Sequence, residues 1–383
     1  MPPSGASTPQ KRPRPNDLET RSLSTQLTER TRFDPSVQSS SGPSRQRSPA
    51  RDLLNDLPLA IPPIHCTRPK EIPLPDTSLS LRRSLCENFG LKVIPVGLKD
   101  KIHSADPEGA MDIPDVAFDY ADSRTPEQLE ALWRDVVEIY QEAAECEEHG
   151  QDENAWGAGV IQPILKMGIR HHPILQVKNV QTQTISPSLL PRLPHKCRVS
   201  RKVDYAFAFS ARNRRVKTTY DDFAIASPDP TISQTTDPFT KRIAIFSGVE
   251  VKQSNGGKVE ALAQLSIWLA ASLEKLLQIS SLGERGNEHF TLLPTVGWTV
   301  IGHDWHLYIV FRGLFEGQDR IYIDGPIESV AASTRSYYGI FKLMDLVHRA
   351  SKYAEEVYWP WMRDEILGPV NRPISATRHT RQG

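Results

Sequence analysis

Residues 242–252, with the sequence RIAIFSGVEVK, form an apolar run that ends in Glu250, Val251 and Lys252. Because side chains alternate along a β-strand, Glu250 and Lys252 are predicted to point to the same face. Asp204 lies in an earlier strand-like run, so two carboxylates and one lysine can converge at the edge of a sheet. This combination is the minimum that Mg²⁺-dependent hydrolysis of a phosphodiester requires.

Each of these residues has a specific task in such chemistry. Mg²⁺ prefers oxygen ligands, commonly one or two carboxylates together with waters and phosphate oxygens of the substrate. Asp204, Glu250 and the main-chain carbonyl of Val251 are therefore the predicted metal ligands. Lys252 is predicted to orient the attacking water and to stabilise the charge that develops on the phosphorus.

Two further polar residues are predicted to reach the same place from helices. Glu153 shares a helical stripe with Trp156 and Val160. Burying that carboxylate is costly unless it is paired or lies near a cation, so Glu153 is a candidate site residue. Gln264 lies in the helix that follows the Glu250 strand and is a candidate hydrogen-bond partner for the site.

Apolar periodicity and helix caps predict the elements that position these residues. Residues 125–150 form a predicted helix with Thr125 as its N-cap. Asp152 is the predicted cap of the Glu153 helix, which Pro163 is expected to kink or end. The other predicted elements are helices at residues 78–86, 258–279 and 333–358, an edge strand at 92–98, strands at 174–185, 203–209 and 321–323, and a hairpin at 296–311.

Small side chains share the faces of the two predicted carboxylate ligands, namely Ala206, Ala208, Ala244 and Gly248. They predict that the Glu153 helix approaches the sheet closely at this point. Between the two strands, residues 210–241 are predicted to be a polar excursion. Its segment 212–215, with three arginines and one asparagine, has two interpretations, a phosphate contact or a solvated loop.

The order and positions of the candidate residues resemble the PD-(D/E)XK nuclease superfamily. More narrowly, four phrases resemble the PD-(D/E)XK nuclease-like domain of uncharacterised fungal proteins, over roughly residues 52–369. The phrases are ENAW at 153–156, KVDY at 202–205, GVEVK at 248–252 and EALAQL at 260–265. In that superfamily the helix Glu, the strand Asp and the Glu-x-Lys pair are the metal and catalytic residues. The resemblance therefore implies the same roles that chemistry assigns to Glu153, Asp204, Glu250 and Lys252.

The resemblance also implies an α/β fold. The expected structure is a restriction-endonuclease-like core, with a central mixed β-sheet flanked by helices and with helical elaborations at both ends. Two features depart from the family pattern. About 45 residues separate Asp204 from Glu250, so residues 212–241 must be an insertion that leaves their strands paired, and Val203, not proline, precedes Asp204.

Composition divides the 383-residue chain into three parts. Residues 1–51 are rich in Ser, Pro, Thr and Arg and poor in large apolar residues, so they are predicted to form a disordered arm. Residues 52–370 are the predicted nuclease-like domain, and residues 371–383 are a predicted disordered tail. The formal net charge is +0, which argues against a surface coated uniformly for nucleic acid, so any contact with nucleic acid must be local.

Cysteine spacing and apolar content bear on the cellular compartment. The four cysteines contain no CxxC pair, which argues against a disulfide framework and fits a reduced intracellular location. Neither the His171-His172 pair nor His195 with Cys197 has metal-ligand spacing. No apolar run approaches the roughly 20 residues of a membrane span. The basic cluster from Lys11 to Arg14 is either a nuclear import signal or plain solvated charge in a cytoplasmic protein.

The leading hypothesis is a nuclease that depends on Mg²⁺ or Mn²⁺ and acts on nucleic acid, with DNA favoured over RNA. Its candidate catalytic residues are Glu153, Asp204, Glu250, Lys252 and Gln264. The alternative from another class is a catalytically inactive nuclease-fold module for binding or regulation, since a fold does not guarantee an activity. The neutral net charge favours this alternative. A structural interaction protein that uses its arm is compatible with either hypothesis.

Overall fold

The strand-like runs form ten strands within residues 49–193, 198–282 and 291–371, which are the residues that the computed structural model describes. The strands are β1 (Ile64–His65), β2 (Ile94–Pro95), β3 (Phe118–Asp119), β4 (Leu175–Asn179), β5 (Tyr205–Phe209), β6 (Ile245–Lys252), β7 (Thr295–Ile301), β8 (Asp304–Phe315), β9 (Gln318–Asp324) and β10 (Ala332–Ser333). Eight of them form one sheet in the order β1-β9-β8-β7-β6-β5-β4, with β10 paired to β8. Strands β2 and β3 pair separately.

The sheet is mixed, as expected for the α/β core. Strands β5 and β6 are antiparallel, whereas β6 and β7 are parallel. The start of β5 therefore lies beside the end of β6. This arrangement brings the residue before β5 and the last residues of β6 to the same end of the sheet.

Helices flank this sheet. They are α1 (Pro49–Asp56), α2 (Asp76–Cys86), α3 (Lys99–Ala105), α4 (Pro107–Met111), α5 (Pro126–Glu148), α6 (Glu153–Ala155), α7 (Gln162–Gly168), α8 (Arg214–Ala226), α9 (Lys258–Ser280), α10 (Tyr337–Tyr353) and α11 (Trp359–Trp361). π-Helical turns at Trp156–Ile161, Ala354–Tyr358 and Met362–Leu367 join several of them. No helix among the described residues is long and apolar enough to cross a membrane.

The caps and apolar stripes explain why the longest helices form where they do. At the start of α5, Thr125 accepts from the Gln128 N–H while the Gln128 side chain accepts from the Thr125 N–H, which is a complete capping box. Helix α9 is buried along almost its whole length and packs Leu265 and Trp268 into the core. Burying one such side chain contributes about 1.5–3 kcal/mol. Both predicted helices are confirmed.

Glycines on the sheet let α9 approach one of its faces. A Cβ at Gly248 would lie 2.9 Å from Trp268 Cδ1, and a Cβ at Gly297 would lie 2.5 Å from Leu269 Cδ1. Gly248, one of the small residues predicted to admit the Glu153 helix, therefore admits α9 instead. That part of the prediction is wrong, because the long apolar stripe of α9 competes successfully for this face.

The Glu153 helix packs elsewhere, against the ring of Tyr205. It runs from α6 through a π-helical turn into α7, so Pro163 neither ends nor interrupts it. The π-helical turn changes the hydrogen-bond register just before the proline. Pro163 then falls in the first turn of α7, where a missing N–H is tolerated.

Residues 210–241 contain a helix that composition did not predict. In α8, Val216, Tyr220 and Phe223 are buried, and Asn213 caps the helix start. The arginines of segment 212–215 thus lead into a capped helix and are not part of a solvated loop. They follow the end of β5, whereas Asp204 precedes its start, so the two lie at opposite ends of that strand.

Several predicted boundaries also differ from the structure. The predicted strand at 174–185 ends at Asn179, and the predicted helix at 333–358 begins only at Tyr337. The predicted edge strand at 92–98 is only the two residues of β2, paired with β3 outside the main sheet. Helix α1 begins at Pro49, ahead of the predicted domain start at residue 52. The rest of the predicted arm, with Lys11 and Arg14, and nearly all of the predicted tail lie outside the described residues.

Candidate active site

The two predicted carboxylate ligands lie on adjacent chain segments at one end of the sheet. Asp204 directly precedes β5, and its N–H donates to the carbonyl of Val249 in β6 at 3.0 Å. The register pairs Tyr205 with Val249. Continued by one residue, this register sets Asp204 opposite Glu250 with both side chains on the same face. Each of these two residues is only 1% exposed.

Lys252 lies between two carboxylates. Its Nζ is 2.8 Å from Glu250 Oε1 and 3.1 Å from Glu153 Oε1. The contact with Glu250 is an ion pair and not a well-directed hydrogen bond, because Glu250 Oε1 has no aligned hydrogen-bond partner among the described residues. The side chain of Lys252 is only 5% exposed.

The start of the Glu153 helix is fixed from both sides. Asp152 caps it, since Oδ1 of Asp152 accepts from the N–H groups of Asn154 and Ala155 at 3.0 Å each. One turn later, a Cβ at Gly157 would lie 2.8 Å from the Tyr205 hydroxyl. The missing side chain allows the helix to approach β5, and this approach brings Glu153 within reach of Lys252.

Both oxygens of Asp204 accept hydrogen bonds. The Val251 N–H donates to Oδ2 at 2.7 Å, and the Gln181 side-chain amide donates to Oδ1 at 3.0 Å. Val251, the third predicted metal ligand, therefore lies next to Asp204 through its main chain. Gln181 did not stand out in the sequence, because it lay inside the predicted strand at 174–185, whereas the strand ends at Asn179 and Gln181 lies in the turn after it.

Comparison with known families bears directly on this geometry. A family model described as PD-(D/E)XK nuclease superfamily matches residues 102–359. The match spans more than half of the chain. The chain belongs to the PD-(D/E)XK nuclease superfamily. The match begins later and ends earlier than the resemblance predicted from sequence, and it includes every candidate site residue. No curated protein matches the chain.

Burial and neighbouring charges shift the pKa of two residues of this PD-(D/E)XK cluster, Glu250 and Lys252. Burial, and after it the charge of Asp204, raises the pKa of Glu250 well above its usual range, although Lys252 opposes the shift. For Lys252, burial lowers the pKa, but Glu250 and Glu153 outweigh burial, so the pKa is raised overall. The lysine therefore stays charged, while the ionised form of Glu250 is disfavoured without a further cation.

The donor set fits a hard divalent cation in number and kind. No group of three or more His, Cys, Asp or Glu side chains within residues 49–193, 198–282 and 291–371 is arranged to hold a metal. A site here would instead use two carboxylates and a main-chain carbonyl, which suits Mg²⁺ because that ion keeps several waters. The buried Glu250 oxygen without an aligned hydrogen-bond partner is consistent with such a ligand.

Gln264 is buried on α9, with 4% exposure. Its Oε1 has no hydrogen-bond partner among the described residues. A buried amide oxygen without a partner is costly, typically by about 1–3 kcal/mol. The part of the chain that the structure describes gives no hydrogen bond from Gln264 to the Glu153–Lys252 cluster.

A second set of residues that the sequence analysis missed lies just beyond Lys252. The Lys252 carbonyl accepts from the Gly302 N–H at 2.8 Å, and the next residue, His303, packs edge-on against Trp156. His303 Nδ1 lies 2.8 Å from Thr334 Oγ1. This histidine joins the end of β7 to the Glu153 helix and so helps to hold the two halves of the cluster together.

In the His171-His172 pair considered from the sequence, both ring nitrogens of His172 lie close to other side chains of the protein. His172 Nδ1 lies 2.6 Å from Glu355 Oε2, and His172 Nε2 lies 2.9 Å from His348 Nδ1. Both ring nitrogens are therefore used within the protein. His195 and Cys197 lie outside the described residues.

Proposed function

We propose that this protein is a metal-dependent nuclease that hydrolyses phosphodiester bonds, with DNA as the preferred substrate over RNA. The observation that supports the proposal most directly is the buried lysine of the Glu-x-Lys triplet, held between Glu250 and Glu153 beside Asp204. Membership of the nuclease superfamily supports a nucleic-acid substrate. The cluster from Lys11 to Arg14, if it is a nuclear import signal and not plain solvated charge, would bring the chain to DNA.

Each residue of the cluster has a proposed task. Asp204, Glu250 and the Val251 carbonyl would hold Mg²⁺ or Mn²⁺, and the bound ion would supply Lewis-acid activation and neutralise charge on the phosphate. Lys252, whose raised pKa keeps it protonated, would donate hydrogen bonds to the water and to the phosphate oxygens as negative charge develops.

Glu153 and Gln264 have supporting tasks in this proposal. Glu153 holds Lys252 through the 3.1 Å ion pair and can accept a proton near the attacking water. Gln264 offers a buried carbonyl oxygen that is free to accept a hydrogen bond in the presence of substrate. The low exposure of the cluster strengthens each of these electrostatic interactions, because the surrounding dielectric is low.

A catalytically inactive binding module remains the second candidate function. The formal net charge of +0 favours it, since many enzymes that grip nucleic acid along an extended track are strongly basic. Such a module would keep the sheet and the cluster for stability, and it would bind its partner without any need for Lys252.

Cleavage of single- and double-stranded DNA and RNA, with Mg²⁺ or Mn²⁺, separates the two functions. Lys252→Ala is expected to lower the cleavage rate by about 10² to 10³, the usual effect of removing one preorganised donor. Asp204→Asn is expected to be at least as harmful. Lys275→Met is the matched control, because Lys275 is also a buried lysine but pairs with Asp229 and has no contact with the cluster.

The outcomes are distinct. Loss of cleavage in both site variants, with activity retained in Lys275→Met, supports the nuclease. A wild-type protein that binds nucleic acid without cleaving it, and whose variants bind equally well, would establish the inactive module. Cleavage that survives both site substitutions would mean that the active site lies elsewhere.

A further inference from the structure

The side chain of Gln181 joins the strand aspartate to the start of the Glu153 helix. Its Nε2 donates to Asp204 Oδ1 at 3.0 Å and to Asn154 Oδ1 at 3.3 Å. Its Oε1 accepts from Asn179 Nδ2 at 3.1 Å, and its N–H donates to Asn179 Oδ1 at 3.2 Å. Every polar atom of the Gln181 side chain therefore has a partner.

The partners fix which way the amide points. An amide has two N–H donors on nitrogen and only acceptors on oxygen. Asp204 and Asn154 both present oxygen, whereas Asn179 presents N–H, so the reverse orientation would place three oxygens against one another and two N–H groups together. The amide is thus locked, and it holds Asp204 in one position.

The Gln181 bond is compatible with Asp204 acting as a ligand. Oδ2 of Asp204 accepts from the Val251 N–H, and Oδ1 accepts from the Gln181 amide. A carboxylate has about four lone-pair sites, so these two hydrogen bonds use only part of its acceptor capacity. A neutral amide orients the group without cancelling its charge, whereas a lysine in its place would compete with a cation.

We propose that Gln181 is a positioning residue for the metal site, an inference that rests on the proposed metal-dependent nuclease function. It sets the plane of the Asp204 carboxylate and ties that plane to Asn154, the neighbour of Glu153. Asp204 is thereby held at a fixed separation from Glu153. Outer hydrogen-bond partners of this kind typically change metal affinity by about 10- to 100-fold when they are lost.

The test is the Mn²⁺ affinity of Gln181→Met, measured by titration calorimetry on the full chain. The substitution keeps the length of the side chain and removes all three side-chain hydrogen bonds. Mn²⁺ affinity is expected to fall by about 10- to 100-fold. Gln183→Met is the matched control, because Gln183 lies in the same loop and its side chain donates to Thr240 at 2.7 Å, whereas that of Gln181 donates to Asp204.

A double-mutant cycle separates positioning from a general structural role. In an Asp204→Asn background, Gln181→Met is expected to cause no further loss of Mn²⁺ affinity, because its effect acts through the carboxylate. Melting temperatures in EDTA report on the fold of each variant. If Gln181→Met does not fold, Asn154→Ala and Asn179→Ala each remove one partner of the amide and are expected to weaken Mn²⁺ binding partially.

Failure of this inference differs from failure of the proposed function. Wild type that binds Mn²⁺ and cleaves, with unchanged affinity in Gln181→Met or in both asparagine variants, would overturn the positioning role alone. A loss as large in Gln183→Met would overturn it too, since the loop and not the bond would then be responsible. Wild type that neither binds Mn²⁺ nor cleaves would overturn both.

Discussion

Lys252 Nζ lies 2.8 Å from Oε1 of Glu250, two residues earlier in the same strand, and both side chains are buried. The ammonium group is the counter-cation of a carboxylate that is also a proposed metal ligand. A divalent cation at Glu250 therefore has to share this carboxylate with the lysine or displace it. The strength of metal binding and the ion pair are coupled as a result.

Lys252→Met is expected to lower the melting temperature of the metal-free protein. It is also expected to increase the rise in melting temperature that Mn²⁺ causes. Lys252 is the group that opposes the raised pKa of Glu250, so its removal makes the buried Glu250 carboxylate still harder to ionise and lowers stability at neutral pH. Without the competing ammonium, Glu250 and Glu153 attract a cation more strongly. Melting temperatures in EDTA and in millimolar Mn²⁺ measure both effects.

Lys275→Met is the control for this experiment as well. It removes a buried ammonium from α9 and is expected to leave the gain in melting temperature with Mn²⁺ as in wild type. An equal gain in Lys252→Met and wild type would mean that lysine and metal do not compete for Glu250. No gain in any of the three proteins would argue against a metal site.

Glu250→Gln is expected to stabilise the metal-free protein at neutral pH. The pKa of Glu250 is raised in the folded state, mainly by burial and then by Asp204. A group with a raised pKa contributes stability below its unfolded pKa, near 4.3, and loses that contribution as pH rises through the folded value. Glutamine mimics the protonated form, so the variant avoids this loss.

The measurement is urea unfolding in EDTA between pH 4 and pH 8, comparing wild type with Glu250→Gln. The advantage of the variant should grow with pH and vanish toward pH 4. The variant should also lose its stabilisation by Mn²⁺. A constant difference across the pH range would contradict the raised pKa.

The positions of Asp204, Glu250 and Lys252 at one end of the sheet follow from information that the sequence contains. Strand alternation puts Glu250 and Lys252 on one face, and antiparallel pairing of β5 with β6 then brings Asp204 beside Glu250. Both rules follow from the two-residue repeat of a β-strand, which can be read directly from the sequence. They hold here because both strands are apolar and buried on both faces.

Other features depended on tertiary contacts that spacing does not encode. Which helix covers Gly248 was decided by competition between two apolar stripes. The helix α8 has only three buried side chains, and its composition resembles a loop. Gln181 and Gln183 are both followed by threonine in the run QTQT, so the sequence does not distinguish them. In the fold, Gln181 donates to Asp204 and Gln183 donates to Thr240.

Truncation of the N-terminus is expected to leave stability unchanged only if it ends before helix α1. Residues 1–46 have a composition that cannot support a core, so their deletion should leave the melting temperature nearly unchanged. Deletion of residues 1–60 also removes α1, with its buried Leu53, and Leu57 beyond it. Losing a single buried leucine side chain costs about 2–5 kcal/mol. A large drop in melting temperature with the shorter deletion would show that the arm docks on the domain.

The approach of the Glu153 helix to β5 gives the last prediction. A Cβ at Gly157 would lie 2.8 Å from the Tyr205 hydroxyl oxygen but 3.3 Å from the nearest ring carbon. Gly157→Ala is therefore expected to cost about 1–3 kcal/mol through overpacking and to move Glu153 away from Lys252. Tyr205→Phe removes the clashing oxygen, so the double variant should recover most of the stability and of the cleavage rate.

Gly159→Ala is the matched control in the same π-helical turn. Its Cβ would lie 2.8 Å from Glu142 Oε2, the end of a flexible side chain that can move aside, and 3.6 Å from Glu142 Cβ, an ordinary contact, so little change is expected. Urea unfolding gives the coupling free energy between positions 157 and 205, which should be at least about 0.5 kcal/mol for residues in contact. Additive effects of Gly157→Ala and Tyr205→Phe would mean that the hydroxyl does not set the helix position, and the close approach would then need another cause.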